Sequence, residues 1–280
     1  MKQILGDNQF FGINHNDLEK GNKTKEQFSS KEAIIEFINK SISIGLDGYM
    51  INSNEIGFKI PTSFQLPASK EIHYSVPYPH KYASMVNENG MLSLLKYIFK
   101  QSSLSSLFLK SPKFLFTRNI KDILPIIIDL EIPAKLPKNS YVYLQNIVTD
   151  LVLGLKREDL LLEFCNAVQR KGYKPGLITL NPTRLDVAIQ KFPIKVQKDL
   201  VVCFNINVTG FNVFPSRETV EKFVKTKHNY KKMGMSILSS GGAHNIEDSI
   251  QYIKTLNLDY VVYGSSNLKN IEANYKALKS

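Results

Sequence analysis

Two hydrophobic periods take turns along the chain. Short apolar runs of strand length recur at Gln3–Leu5, Gly48–Ile51, Ile72–Val76, Tyr141–Leu144, Leu177–Leu180, Val201–Phe204, Met235–Leu238 and Tyr260–Tyr263. Between most of them lies a segment in which apolar residues repeat every three or four positions, the spacing of a helix with one buried face. In "SSKEAIIEFINKSI" Ile34, Phe37 and Ile38 share a face, and Ser29 with Glu32 has the spacing of a capping box. "REDLLLEFCNAVQRKG" ends on Gly172, a natural residue just past a helix end. "NPTRLDVAIQKF" places Asn181 as N-cap and Pro182 at the first helical position. Ser216 opens "SRETVEKFV", and Asn245 opens "NIEDSIQYIKTL", each with acid in the first turn. The last helix carries Ile271, Tyr275 and Leu278 on one face.

Strands alternating with helices imply βαβ units and a parallel sheet. Eight such units within 280 residues predict an α/β fold, a (β/α)8 TIM barrel forming a single domain over 1–280. A doubly wound open sheet is the competing arrangement. The spacing breaks once. From about 79 to 138 some sixty residues stand where one helix would do, and "GMLSLLKYIFKQSSLSSLFLKSPKFLF" is densely apolar. This predicts an enlarged helical insertion after the third strand. It would serve as extra core on the barrel flank, or as a lid, a membrane-surface contact or the surface of a homo-oligomer.

Chemistry in such a barrel sits where strands end and helices begin. The first strand leads to Asp7, Asn8 and Gln9, then to Asn14 and His15; the second to Asn52, Ser53, Asn54 and Glu55. The third leads to Tyr78 and His80, and the fourth to Gln145, Asn146, Thr149 and Asp150. The fifth and sixth lead to Asn181, Arg184, Asn205 and Asn207. Amides dominate and carboxylates are few. Carboxamides suit hydroxyls and carbonyls, as in a sugar site, and a hard cation needs several carboxylates, so no metal is expected. Asn8, Gln9, Asn52, Asn146, Asn181 and Asn205 are the expected substrate contacts. His15, Tyr78, His80, Asp150 and Glu55 are the acid/base candidates. Asn181 and Asn245 can equally be simple helix caps, and His73 faces a strand interior.

Strands seven and eight are followed by "SSGG" and "GSSN". In these barrels that pair of loops commonly holds phosphate, because glycine lets backbone N–H groups approach an anion at a helix N-terminus. Ser240, Gly241, Gly242, Gly264, Ser265, Ser266 and Asn267 are therefore the expected anion contacts. The formal net charge of +11 fits an anionic small molecule. It does not indicate nucleic acid, since the lysines are scattered and no nucleic-acid motif is present. No apolar run reaches the 18 residues of a membrane span and the first residues lack signal-peptide architecture, so a cytoplasmic protein is expected. Cys165 and Cys203 lie in apolar contexts and read as buried thiols.

"YGSSNLKNIEANYKAL" resembles the strand-eight region of the aldo/keto reductases, a Gly-Ala/Ser-Ser turn followed by Ile/Leu-Glu-x-Asn and a helix. "ILGDNQFFG", "SISIGLDGYMINSNEIG" and "YVYLQNIVTD" are similar to that family's first, second and fourth strands. The resemblance implies a TIM barrel in which Gly264, Ser265, Ser266, Glu272 and Asn274 would hold the 2′-phosphate end of NADP. The family's catalytic Asp falls on Ile51 or Asn52 and its Tyr near Ile56. No Lys ends the third strand, where "HYSVPY" stands, and the His of the fourth falls on Asn146. The tetrad is thus not preserved. Three functions follow as expectations. The first is acid/base chemistry of the lyase or isomerase type on a small phosphorylated or sugar-like metabolite. The second is an NADP-dependent oxidoreductase with altered catalytic residues. The third is a non-catalytic binding or scaffold protein.

Overall fold

A computed structural model describes residues 1–12, 18–77, 128–239 and 245–280. Eight parallel strands close into one barrel in sequence order: β1 (Lys2–Leu5), β2 (Gly48–Asn52), β3 (Glu71–Val76), β4 (Tyr141–Leu144), β5 (Lys174–Thr179), β6 (Val201–Asn205), β7 (Lys231–Met235) and β8 (Tyr260–Tyr263). The described helices are α1 (Leu18–Gln27), α2 (Lys31–Ile44), α3 (Asn146–Gly154), α4 (Glu158–Arg170), α5 (Pro182–Ile189), α6 (Ile194–Asp199), α7 (Arg217–Lys225), α8 (Ile246–Lys254) and α9 (Leu268–Lys279). This is a single-domain (β/α)8 barrel, as the alternation of periods predicts. Most of the expected insertion at 79–138 lies outside the described residues; from 128 onward Ile128, Ile132 and Leu136 join the core.

Several boundaries differ from expectation. β7 starts four residues before the predicted run at Met235–Leu238, because its first residues are lysines. Lys232 is buried and donates from Nζ to the Val224 and Thr226 carbonyls at the end of α7. β5 likewise begins at Lys174, ahead of Leu177. The cap of α2 is Ser30, whose Oγ accepts from Ala33 N at 3.1 Å, and not Ser29. The caps at Asn181, Ser216 and Asn245 are those predicted, and Gly172 sits past α4 with φ of 79°.

Strand register decides which residues face inward. Pairs such as Ile4↔Gly48, His73↔Tyr141, Gly176↔Val201 and Met233↔Tyr260 step round the ring. Followed through all eight strands they return to β1 about eight residues displaced, the stagger of a (β/α)8 barrel. Alternate strands therefore supply layers of four. From the N-terminal end these are Lys2, Glu71, Lys174, Lys231; then Gly48, Tyr141, Val201, Tyr260; then Ile4, His73, Gly176, Met233. Above lie Met50, Tyr143, Cys203, Val262; then Gly6, Ser75, Ile178, Met235; and finally Asn52, Gln145, Asn205, Gly264. The apolar members of the middle layers form a cluster separate from the shell between strands and helices. The interior is a packed column, polar at both ends. Tyr143 fills the space that Gly176 leaves, since a Cβ there would lie 2.2 Å from its ring.

Candidate active site

The layer at the C-terminal ends of the strands is a ring of carboxamides. Asn52, Gln145 and Asn205 supply three of its corners. The fourth is Gly264, and a side chain from outside the layer takes its place: a Cβ on Gly264 would lie 2.1 Å from Gln9 Oε1. Gln9 is held there by donating from Nε2 to the Gly6 carbonyl at 2.7 Å. Gln145 donates to Ser75 Oγ at 2.7 Å. Asn205 donates to the Asn212 carbonyl and accepts from Ser236 Oγ, both at 2.8 Å. Asn207 is fully buried but turns back to brace its own loop, accepting from Phe211 N and Thr209 Oγ1.

Beside this ring stands a carboxylate that the expected acid/base set did not contain. Asp7 follows β1 and opens a short 3-10 turn, Asn8–Phe11. Its Oδ2 accepts from Asn52 N at 2.8 Å and from Asn52 Nδ2 at 2.7 Å. Burial of the carboxyl pushes its pKa from 3.8 up to about 6, against the opposing pull of those hydrogen bonds. The turn is fixed from behind. Phe10 makes edge-to-face contacts with Phe28 at 5.0 Å and Phe37 at 5.9 Å, and those two pack at 5.2 Å. Asn52 is fixed in turn, because its Oδ1 accepts from Asn54 N and Asn54 Oδ1 accepts from Gly57 N. A carboxylate with a pKa near neutrality, held by an oriented amide at a barrel mouth, can accept and return a proton.

The other expected residues take different stations. Asn8 is exposed, and so is Glu55, on the turn after β2. Both oxygens of Asp150 are engaged: Oδ1 accepts from Thr179 Oγ1 at 2.5 Å and Oδ2 from Leu180 N at 2.9 Å, which ties α3 to the end of β5. Asn181 accepts from Arg184 N at 3.1 Å as the cap of α5. Asn146 is the first residue of α3, and register turns Gln145 inward in its stead. Of Ile51 and Asn52, Asn52 faces the mouth and Ile51 packs in the outer shell. His15, Tyr78, His80, Ser240, Gly241 and Gly242 lie outside the described residues.

At the end of β8 the turn is tied down. Ser265 Oγ accepts from Asn267 N at 3.2 Å, Asn267 Oδ1 accepts from Lys269 N at 2.9 Å, and Gln27 Nε2 donates to the Ser266 carbonyl at 3.1 Å. Asn267 is thus the N-cap of α9. Glu272 points to solvent, where Lys276 at 2.6 Å holds its carboxyl below the usual range; Asn274 is buried. After β7, Ser236 and Ser239 adopt φ of 57° and 50°, and Thr209 and Ser239 hydroxyls meet at 3.1 Å. Cys165 and Cys203 are buried free thiols whose pKa values burial pushes up. Among the described residues no three His, Cys, Asp or Glu side chains converge, and no helix is long and apolar enough to cross a membrane.

Asp7 and Gln145 were legible in part. Asp7 is a carboxylate two residues past the end of a strand. Gln145 continues the alternation of Tyr141 and Tyr143. What the sequence does not display is the vacancy at Gly264 that draws Gln9 into the ring.

Comparison with known proteins supports the fold. No protein-family profile and no curated protein sequence matches the chain. Two solved structures of provisionally assigned aldo-keto reductases from Pseudomonas aeruginosa superpose with TM-scores of 0.53 and 0.52. Each shares 10% sequence identity, over 99% of this chain and 88% of that one. At that identity the likeness is one of barrel architecture. An aldolase and a D-tagatose 3-epimerase-like protein superpose at 0.43 and 0.44, too weakly to carry an argument.

Proposed function

We propose that the protein is an enzyme that moves a proton on a small, hydroxyl-rich, anionic metabolite of the sugar or sugar-phosphate class. Asp7 carries the reading. It is the general base, Asn52 holds it in place, and Gln9, Gln145 and Asn205 bind substrate hydroxyls. The turn at 264–267, at the N-terminus of α9, receives the anionic end. Asp7 ionised abstracts the proton from a carbon beside a carbonyl, and Asp7 protonated returns it, which is isomerase or lyase chemistry.

The test is solvent exchange. A panel of aldose and ketose phosphates and the free sugars is incubated with the protein in deuterium oxide, and mass is measured. One deuterium gained by one member, and lost by a factor of about 10² or more in Asp7→Asn, supports the reading. The exchange rate rises with pH through about 6 and then levels, following Asp7. An exchange unaffected by Asp7→Asn, or none with any member, refutes it.

The turn before α9 favours a second reading, an oxidoreductase that binds NADP through Gly264–Asn267. Asn52, Ser75 and Gln145 at the ends of β2, β3 and β4 would then replace a charged proton donor set, leaving Asp7 as the acid. Nicotinamide fluorescence decides between the two, since the chain has no tryptophan to obscure it. NADPH binding that is lost in Ser265→Asp supports this second reading.

A further inference from the structure

The opposite end of the barrel carries a second convergence of charge. Its first layer is Lys2, Glu71, Lys174 and Lys231. All four occupy inward positions at the starts of β1, β3, β5 and β7, so strand register brings them together. Tyr141 and Tyr260 in the next layer form the floor, with hydroxyls 3.1 Å apart. The ammonium groups gather over these two rings. Lys174 Nζ is 5.1 Å from the Tyr141 centroid and Lys2 Nζ 5.8 Å from that of Tyr260. Lys231 Nζ lies 6.0 Å and 5.7 Å from the two, and donates to both hydroxyls at 3.4 and 3.5 Å.

The layer holds a single carboxylate. Glu71 accepts from Lys2 Nζ at 2.6 Å and faces buried His73 Nε2 at 3.5 Å. Asp47 and Asp259, on adjoining loops, accept from the backbone amides of Gln3 and Lys232. Lys174 and Lys231 form no ion pair among the described residues. Glu71 offsets Lys2, so Lys174 and Lys231, both exposed, carry charge that no described carboxylate balances and that attracts a further anion. The mutual bond of the two buried hydroxyls uses one of their protons, so the exposed ammonium groups of Lys174 and Lys231 are the main donors that a tetrahedral oxyanion takes.

We infer that this end of the barrel is a binding site for a small oxyanion of the phosphate class, held between Lys174 and Lys231 above Tyr141 and Tyr260. It is distinct from the mouth, since packed layers containing Met233, Tyr143 and Cys203 lie between them. The ligand is inorganic phosphate or pyrophosphate, or the phosphate group of a larger metabolite.

The probe is inorganic pyrophosphate at constant ionic strength, read by lysine acetylation and mass spectrometry. At ten times its Kd, acetylation of Lys174 and Lys231 falls to about one tenth by mass action, while exposed Lys195 and Lys225 are unchanged. Thermal unfolding is the second readout. Pyrophosphate raises the Tm of the wild type, and the shift is lost in the double variant Lys174→Gln/Lys231→Gln. Without pyrophosphate that variant unfolds at the wild-type temperature or above, because a repulsion has gone. Uniform protection of every lysine, or a Tm shift kept in the double variant, overturns the inference. A shift kept there but lost in Ser265→Asp puts the anion in the mouth. That outcome overturns this site and leaves the proposed function standing. Inorganic phosphate is tested alongside; binding by neither probe overturns the site.

Discussion

Asp7→Asn removes a charge that the fold holds unfavourably. Burial raises the Asp7 pKa from 3.8 to about 6. The folded state then binds the proton more tightly than the unfolded chain does. Its favourable contribution is complete below pH 3.8 and is lost as pH rises through about 6. A shift of that size corresponds to about 3 kcal/mol at most. Asparagine is nearly isosteric and keeps one oxygen, which can accept both bonds now made by Asn52 N and Nδ2. The variant is therefore expected to match the wild type near pH 4 and to exceed it by about 1–3 kcal/mol above pH 7. Urea unfolding of both proteins at the two pH values measures the difference. A gap that does not widen with pH, or a variant less stable at pH 7.5, refutes the argument. Activity moves the other way, so the stabilised variant is the inactive one, a trade-off common at catalytic groups.

Three further outcomes follow from other sites. Glu71 is held down to about pKa 2 by His73 and Lys2 despite its burial, so its stabilisation is present above its ordinary value of 4.5 and is lost as pH falls through 2. Glu71→Gln is expected to cost about 1–3 kcal/mol at pH 7, with the loss shrinking in acid; an equal loss at pH 7 and pH 3 counts against the pairing. Gly176→Ala drives a methyl into the Tyr143 ring in the barrel interior and should cost about 1–3 kcal/mol by chemical unfolding, a cost that a Tyr143→Leu background reduces. Gly264→Ala meets only the tip of Gln9, so it should cost about 1 kcal/mol or less, and the effect should vanish in Gln9→Ala.

The barrel was legible because its evidence is periodic. Eight apolar runs and the caps at Asn181, Ser216 and Asn245 are local signals, and local signals survive folding unchanged. The two displaced strands, β5 and β7, hide their starts behind Lys174 and Lys231. Those lysines are inward-facing residues that alternation alone reads as loop. The site was legible as composition and not as geometry. An amide-rich mouth could be foreseen, yet its membership depends on register. Register turns Asn52 and Gln145 inward, leaves Asn146 on a helix and makes Asp150 a brace. Gln9 enters only because Gly264 lacks a side chain. The role proposed for Asp7 rests on desolvation, which no residue pattern displays.

The proposed chemistry requires a carboxylate at the mouth that changes charge near neutrality. Its most direct test is a carbon-13 NMR titration of the Asp7 side-chain carboxyl, assigned by comparison with Asp7→Asn. The predicted midpoint is about 6. A midpoint at the ordinary 3.8 would mean that the carboxyl is solvated, and the proposed base would lose its physical ground.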